Sequence, residues 1–245
     1  MKNKRGKITA VIPTRAGSER VRQKNIRDFA DSNLLEIKIK SILKLKEEGL
    51  IDEVMLNTNC PVSIETAEKY NLDYHRRDDY YASSKCDIRE YWKDCARNIN
   101  TEVLLLAQVT SPFISHMTYR ECIAKFKQDS CDSLMTVQKI KEYIWTGNNP
   151  FNYEWPEHPK SQDLPDDICF LTFGVSLIEK DYLLKCGNLV GENPCFHELS
   201  GIESVDIDTE QDFEFAQELY KKMNDIQPLQ NINNGYREDP EDLPY

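Results

Sequence analysis

"KITAVIPTRAGSERVRQKN", Lys7 to Asn25, begins as a short, β-branched, apolar run and breaks at Pro13 into a loop crowded with Arg, Ser, Lys and Asn. An apolar run of this length ended by Pro reads as a buried strand. A buried strand that empties into a polar loop is the way an open α/β sheet presents a ligand site at the carboxyl ends of its strands. The residues that follow repeat the alternation. "LLEIKIKSILKLKEEG" (34–49) has helical apolar spacing and a Gly stop; "IDEVMLNTN" (51–59) is a second strand; "VSIETAEKYN" (62–71) is a short helix; "LDYHR" (72–76) is a weaker strand. "CDIREYWKDCARNI" (86–99), "TEVLLLAQV" (101–109), "HMTYRECIAKFKQ" (116–128) and "SCDSLMTVQ" (130–138) then read helix, strand, helix, strand. Strands separated by helices of this length imply an α/β fold: a doubly wound, mostly parallel sheet covered on both faces.

The rhythm stops at Lys139. Residues 139–168 are rich in Pro, Asn and aromatics and show no period, which is too long for a routine connection. Tyr143, Trp145, Phe151, Tyr153 and Trp155 argue against disorder. "ICFLTFGVSLI" (168–178) resumes the sheet, followed by a helix, a strand near Glu203–Ile207 and a final helix over Glu210–Met223. The expected organisation is one domain from 1–138 and 169–223, an inserted segment at 139–168, and an acidic, flexible tail at 224–245.

Net charge narrows the partners. The chain of 245 residues carries −11 at pH 7, so a nucleic-acid binder, which shows a basic footprint, is disfavoured. No apolar stretch approaches the ~20 residues that span a bilayer, so no membrane partner is expected. The eight Cys form no CxxC pair and no metal-ligand spacing with the four His. Without an apolar leader before them, they read as reduced thiols of a cytoplasmic protein.

Three clusters carry chemistry. In Arg15-Ala16-Gly17-Ser18-Glu19-Arg20, continued by Lys24 and Asn25, a flexible Gly lets backbone amides approach an anion while Arg and Lys supply charge. The pattern is neither GxxxxGK[ST] nor GxGxxG, so it is not a P-loop or a dinucleotide fingerprint; a solvated basic loop is the plainer alternative. In "DIDTEQDF", Asp206 and Asp208 alternate and project from one face of an extended segment. They are hard oxygen ligands suited to Mg²⁺, which binds few carboxylates plus phosphates. Thr209 is expected to cap the next helix, with Asp212 in its first turn; this leaves Asp206 unexplained. In "LLLAQVTSPF", Gln108, Thr110 and Ser111 leave a very apolar strand; Gln108 offers an amide to a base or sugar, or the segment is an ordinary Ser-Pro turn.

Taken in this order, "IPTRAGSERVRQKN", "LLAQVTSP" and "DIDTEQDF" resemble the three ordered motifs of the CMP-acylneuraminate synthetase family of cytidylyltransferases, over about 200 residues. The resemblance implies a Rossmann-like nucleotidyltransferase that joins CTP and an acidic, sialic-acid-like sugar with Mg²⁺ and releases pyrophosphate. It implies a homodimer whose 139–168 segment is a dimerisation arm reaching towards the partner's site. By motif position it assigns Arg15, Lys24 and Asp208 to catalysis, and Arg15, Ala16, Gly17, Ser18, Lys24, Asn25 and the loosely aligned Ser83 or Ser84 to the nucleotide. Gln108, Thr110, Ser111 and Lys160 fall to the acceptor, and Asp206 and Asp208 to the metal.

Three positions depart from the family pattern. Glu19 stands where a Lys is usual, Ser161 where an arm Arg is usual, and Phe173-Gly174 where an Asn-Gly pair is usual. The last two lie near the acceptor in the family. They imply that the acceptor differs from ordinary sialic acid: a related nonulosonic acid or another small acidic compound, such as a phosphonate. A catalytically silent nucleotide-binding homologue is the alternative that Glu19 motivates.

Overall fold

The structure is a computed structural model, and it describes residues 6–18, 20–128, 130–199 and 201–233. In chain order it runs β1 (Ile8–Pro13), a small ribbon of β2 (Asp28–Phe29) and β3 (Ser32–Asn33), α1 (Leu34–Glu47), β4 (Glu53–Thr58), α2 (Pro61–Lys69) and β5 (Asp73–Arg76). The short α3 (Asp79–Ala82) precedes α4 (Ile88–Arg97), β6 (Val103–Ala107), α5 (His116–Gln128) and β7 (Ser133–Lys139). A second ribbon, β8 (Trp145–Thr146) and β9 (Asn149–Pro150), leads to β10 (Cys169–Glu179), α6 (Lys180–Cys186), β11 (Pro194–Glu198) and α7 (Glu210–Asn233).

Among the described residues, seven strands form the central sheet in the order β11-β7-β10-β6-β1-β4-β5. Only β10 runs antiparallel to its neighbours; the other pairings are parallel. The continuous apolar runs follow from burial on both faces. In β6, Val103, Leu105 and Ala107 face one core with α1 and α5, whereas Leu104 and Leu106 face the other with α4 and α6. The chain leaves β1 for β4 and β5, then returns to β6 on the other flank of β1. The loops after β1 and β6 therefore part at the topological switch point, where open α/β sheets leave a crevice.

Two sequence expectations change. The strand expected near Glu203–Ile207 is a 3-10 turn, Gly201–Ser204, followed by an extended segment. Val205 and Ile207 alternate like a strand, but the place beside β7 is occupied by Pro194–Glu198. The segment is instead pinned by the Ile207 amide, which donates to the Thr110 carbonyl at 2.9 Å. The last helix runs on to Asn233, past the Met223 boundary; residues 234–245 of the expected tail lie outside the described residues.

The excursion over 139–168 is built on itself. Asn152 is buried; its Oδ1 accepts the Ile144 amide at 2.9 Å and its Nδ2 donates to the Glu142 carbonyl at 2.8 Å. Around this clasp, Tyr143 meets His158 and Tyr153, and Trp145 meets Trp155. Trp145, Phe151 and Trp155 present large apolar surface outward.

Candidate active site

The loop after β1 is shaped by what supports it from below. Arg77, at the end of β5, is buried; its Nη2 donates to the carbonyls of Thr14 (2.6 Å) and Asn57 (2.9 Å), and its Nε to Asn57 Oδ1 (2.7 Å). Its guanidinium lies over the Tyr91 ring, 4.4 Å from the centroid. A buried charge holds its place only when its donors are satisfied in this way. Above it, Arg15 Nη1 donates to the Ala82 carbonyl at 2.9 Å, and the Ala16 amide donates to Asn59 Oδ1 at 2.9 Å. Gly17 takes the left-handed conformation, φ 75°, with open space around it.

The loop is closed against the far end of the chain. Lys24 Nζ donates to the Ile207 carbonyl at 2.6 Å and lies 3.9 Å from Asp208 Oδ1. Arg20 pairs with the same oxygen at 2.8 Å. Arg27 makes a bidentate pair with Glu210 and lies 3.8 Å over the Phe213 ring, so α7 is docked on the opening loop. At the helix start, Thr209 and Asp212 cap each other. The Asp212 amide donates to Thr209 Oγ1 (3.2 Å), and Asp212 Oδ2 accepts from the Thr209 amide (2.7 Å) and hydroxyl (2.8 Å). Asp212 is thus consumed by helix structure, while Asp206 and Asp208 are not.

Two cavities meet at the switch point. The first, of about 300 Å³, is lined by Arg15, Ser18, Arg20, Lys24, Asn25, Arg77, Ser83 and neighbouring residues. Its described lining holds four cations and no carboxylate, within a chain whose net charge is −11. The second, of about 570 Å³, contains Asp206 and Asp208 with Phe170, Phe173 and Leu189, and no Lys or Arg among its described lining. Ile88, Trp92, Gln108 and Thr110 line both and form the junction.

The electrostatics differ accordingly. Surrounding protein pushes the Asp206 carboxyl up, although part of its surface faces the open cavity; Asp208 adds to the rise, and Thr110, Lys24 and Ser111 oppose it. Burial lowers the Lys24 ammonium, with Asp208 and Asp206 acting against the fall. Beneath the Thr110–Pro112 turn lies a fully buried lysine. Lys38 Nζ donates to the Ser111 carbonyl and the Tyr119 hydroxyl, both at 2.9 Å, and burial pulls it down to about 7 despite the Asp206 charge.

The structure brings Arg15, Ser18, Lys24, Asn25 and Ser83 to one cavity, and Gln108, Thr110, Asp206 and Asp208 to its junction and neighbour. Ala16 and Gly17 shape the loop without lining the cavity, and Ser84 lies outside it. Ser111 is buried under the turn and acts through Lys38 and Asp206. Lys160 sits exposed in the excursion and lines neither cavity of its own chain, because the segment folds onto itself. Glu19 lies outside the described residues. Arg77, Lys38 and Asn59 had no spacing signal, because each works through a partner distant in sequence, and Trp92 lines the junction without one.

A cationic crevice at the switch point of a doubly wound sheet, facing paired aspartates, is suited to a phosphorylated ligand. The chain belongs to the cytidylyltransferase family, whose sequence model matches residues 9–151, more than half of its length. Among curated relatives, the pseudaminic acid cytidylyltransferase of Campylobacter jejuni is 27% identical over 237 residues, covering 88% of this chain and 97% of that one. The N-acylneuraminate cytidylyltransferase of Escherichia coli is 26% identical over 250 residues, covering 96% of this chain and 57% of that one. In solved structures, the fold is that of a CMP:2-keto-3-deoxy-manno-octonic acid synthetase complexed with CTP. The TM-score is 0.65 at 12% identity, covering 89% of this chain and 99% of that one. The 4-diphosphocytidyl-2C-methyl-D-erythritol synthase of Anaerococcus prevotii matches at TM-score 0.65 and 16% identity, covering 88% and 96%.

Proposed function

We infer that this cytidylyltransferase transfers CMP from CTP to an acidic sugar of the nonulosonic type and releases pyrophosphate. The observation that carries the reading is the switch-point crevice itself, where Arg15, Arg20, Lys24 and Arg77 line one side and Asp206 and Asp208 the other, with Asp208 bridging to Arg20 at 2.8 Å and Lys24 at 3.9 Å. Arg15, Arg20 and Lys24 would hold the triphosphate and the charge that develops on the leaving pyrophosphate. Ser83 lines the wall on which the nucleoside would rest. Gln108 and Thr110, at the junction, would orient the acceptor hydroxyl towards the α-phosphate.

The donor set suits Mg²⁺. Asp206 and Asp208 are hard oxygen ligands close enough that the Asp208 charge raises the cost of charging Asp206, a situation a divalent cation relieves. They would hold the ion, with Arg20 and Lys24 ceding part of Asp208 to it. The bound metal would supply charge neutralisation at the phosphates. Similarity to the pseudaminic acid and N-acylneuraminate cytidylyltransferases supports an acidic sugar as the acceptor. The exposed Trp145, Phe151 and Trp155 support a homodimer built through the excursion as its arm, which would carry Lys160 to the partner's acceptor cavity. The eight cysteines, none of them joined in a disulfide among the described residues, support a reducing, cytoplasmic setting.

The test is pyrophosphate release from CTP and Mg²⁺ over a panel of acidic sugars and phosphonates, with mass spectrometry of the CMP conjugate. A nonulosonic acid is expected as the best acceptor. Turnover with phosphonates alone, or none with any acceptor, would refute the assignment.

A further inference from the structure

The core stripe of α1 contains a residue type that such a stripe ordinarily excludes. Leu34, Leu35, Lys38, Ile39, Ile42 and Leu45 are the buried positions of the helix, and Lys38 is 1% exposed. A lysine on an apolar face usually lays its stem along the surface and leaves its ammonium in water. Lys38 turns inward instead, to the Ser111 carbonyl and the Tyr119 hydroxyl, and its Nζ lies 5.3 Å from the centroid of the Tyr119 ring. Both hydrogen-bond partners are neutral, so they offset little of the cost of burying an ammonium. A leucine or methionine would fill this position without that cost, so fold stability alone does not account for the lysine.

What the lysine holds is the turn after β6, and that turn holds Asp206. The Ile207 amide donates to the Thr110 carbonyl at 2.9 Å, and Ser111 Oγ donates to Asp206 Oδ1 at 3.4 Å. Thr110 and Ser111 both favour the charged form of that carboxylate. Asp206 belongs to an extended segment outside the sheet, so no strand ladder fixes it. Its place depends on these bonds and on one anchor upstream, where Glu203 Oε1 accepts the Ser115 amide and the Thr118 hydroxyl, both at 2.7 Å. Thr118 and Tyr119 are neighbours on α5, so α1 and α5 meet beneath the aspartate, with Lys38 at their contact.

We propose that Lys38 is a positioning residue: by holding the Ser111 carbonyl it fixes the turn after β6, and through Thr110 and Ser111 it sets the Asp206 carboxylate beside Asp208 in the arrangement that would hold a divalent cation. This rests on the cytidylyltransferase reading and deepens it. Groups that orient a metal ligand from behind act on metal affinity without touching the ion. Without the lysine the turn keeps its sequence but loses the one side chain that bonds its Ser111 carbonyl from the core.

The experiment compares wild type, Lys38→Met and Tyr119→Phe. Methionine is nearly isosteric with lysine and has no donor. Y119F removes the other partner of the ammonium and leaves the Ser111 bond, so it controls for packing and stability. Mn²⁺ binding is measured by electron paramagnetic resonance without nucleotide, and turnover of CTP is followed against Mg²⁺ concentration. K38M should bind Mn²⁺ about tenfold more weakly and need about tenfold more Mg²⁺ for half-maximal turnover, the lower end of the range for losing such a partner. Excess Mg²⁺ should restore most of its kcat, and Y119F should match wild type in both measurements. Should K38M not fold, Lys38→Gln, one atom too short to keep the bond, carries the same expectation. Wild-type metal affinity in K38M overturns the proposal. So does an equal loss in Y119F, or a loss of kcat that Mg²⁺ does not restore, because either would report packing. In each of these cases turnover by wild type keeps the cytidylyltransferase reading intact. Turnover by a wild type that binds no Mn²⁺ removes the metal role of Asp206 and the proposal with it. Absence of CTP turnover by wild type with every acceptor overturns both.

Discussion

Lys24 and Lys38 show how differently one residue type is used. Lys24 lines the cationic cavity with its ammonium on the Ile207 carbonyl, and in the proposed reaction it would turn to a phosphate oxygen. Lys24→Ala is expected to lower kcat/KM for CTP about 100-fold, in the range for losing one preorganised donor to transition-state charge. Its circular dichroism should match wild type; a loss under fivefold in steady-state assays would refute the role. Lys38 is sealed beneath the turn after β6, facing Ser111, Tyr119 and, through space, Asp206. Folded, it titrates near 7; unfolded, near 10.5. Between these values the unfolded chain binds more protons than the folded one, so stability rises with pH across that window and the full penalty stands below it. The slope this lysine contributes is about 1.4 kcal/mol per pH unit. Urea unfolding of wild type and Lys38→Met between pH 7 and 8.5 isolates it: the variant should lack that slope, and equal slopes would mean the lysine is solvated.

At the scale of elements, the continuous apolar strands were readable because a strand buried on both faces cannot alternate with polar residues. The region from 203 to 207 misled because alternation alone does not say whether a sheet edge is vacant; β11 had taken it. The loop that breaks the pairing of β10 with β7 between Leu171 and Ser176 was equally silent in sequence, since Thr136 closes it from a neighbouring strand. Thr136→Val keeps the shape but leaves the buried Val175 amide without its acceptor. We expect a loss of roughly 1–3 kcal/mol by chemical denaturation, and a higher acceptor KM with the KM for CTP little changed. Stability within error of wild type would show that the loop is held by packing alone.

Across the whole molecule, the distribution of charge matters more than its sum. A chain of net charge −11 gathers four cations around one cavity, so its attraction for an anionic ligand is local. The excursion is the other molecule-wide feature, with two tryptophans and a phenylalanine turned outward. Trp155→Asp, placed where the residue is 70% exposed, should leave the monomer fold intact. By analytical ultracentrifugation it should weaken the proposed dimer at least about tenfold, the order expected for a central aromatic at an interface. An unaltered dimer would place the interface elsewhere.

The sequence by itself determined the strand-and-helix alternation, the basic loop after β1 and the acidic pair before the last helix, because these are local patterns of polarity and spacing. The tertiary structure alone decided what those groups touch. The Arg77 brace, the closure of Lys24 onto Ile207, the buried Lys38 and the ring of Phe173 all depend on residues far apart in the chain. Their geometry is set by packing and by the need to satisfy buried polar groups, and no stretch of sequence carries both halves of those contacts.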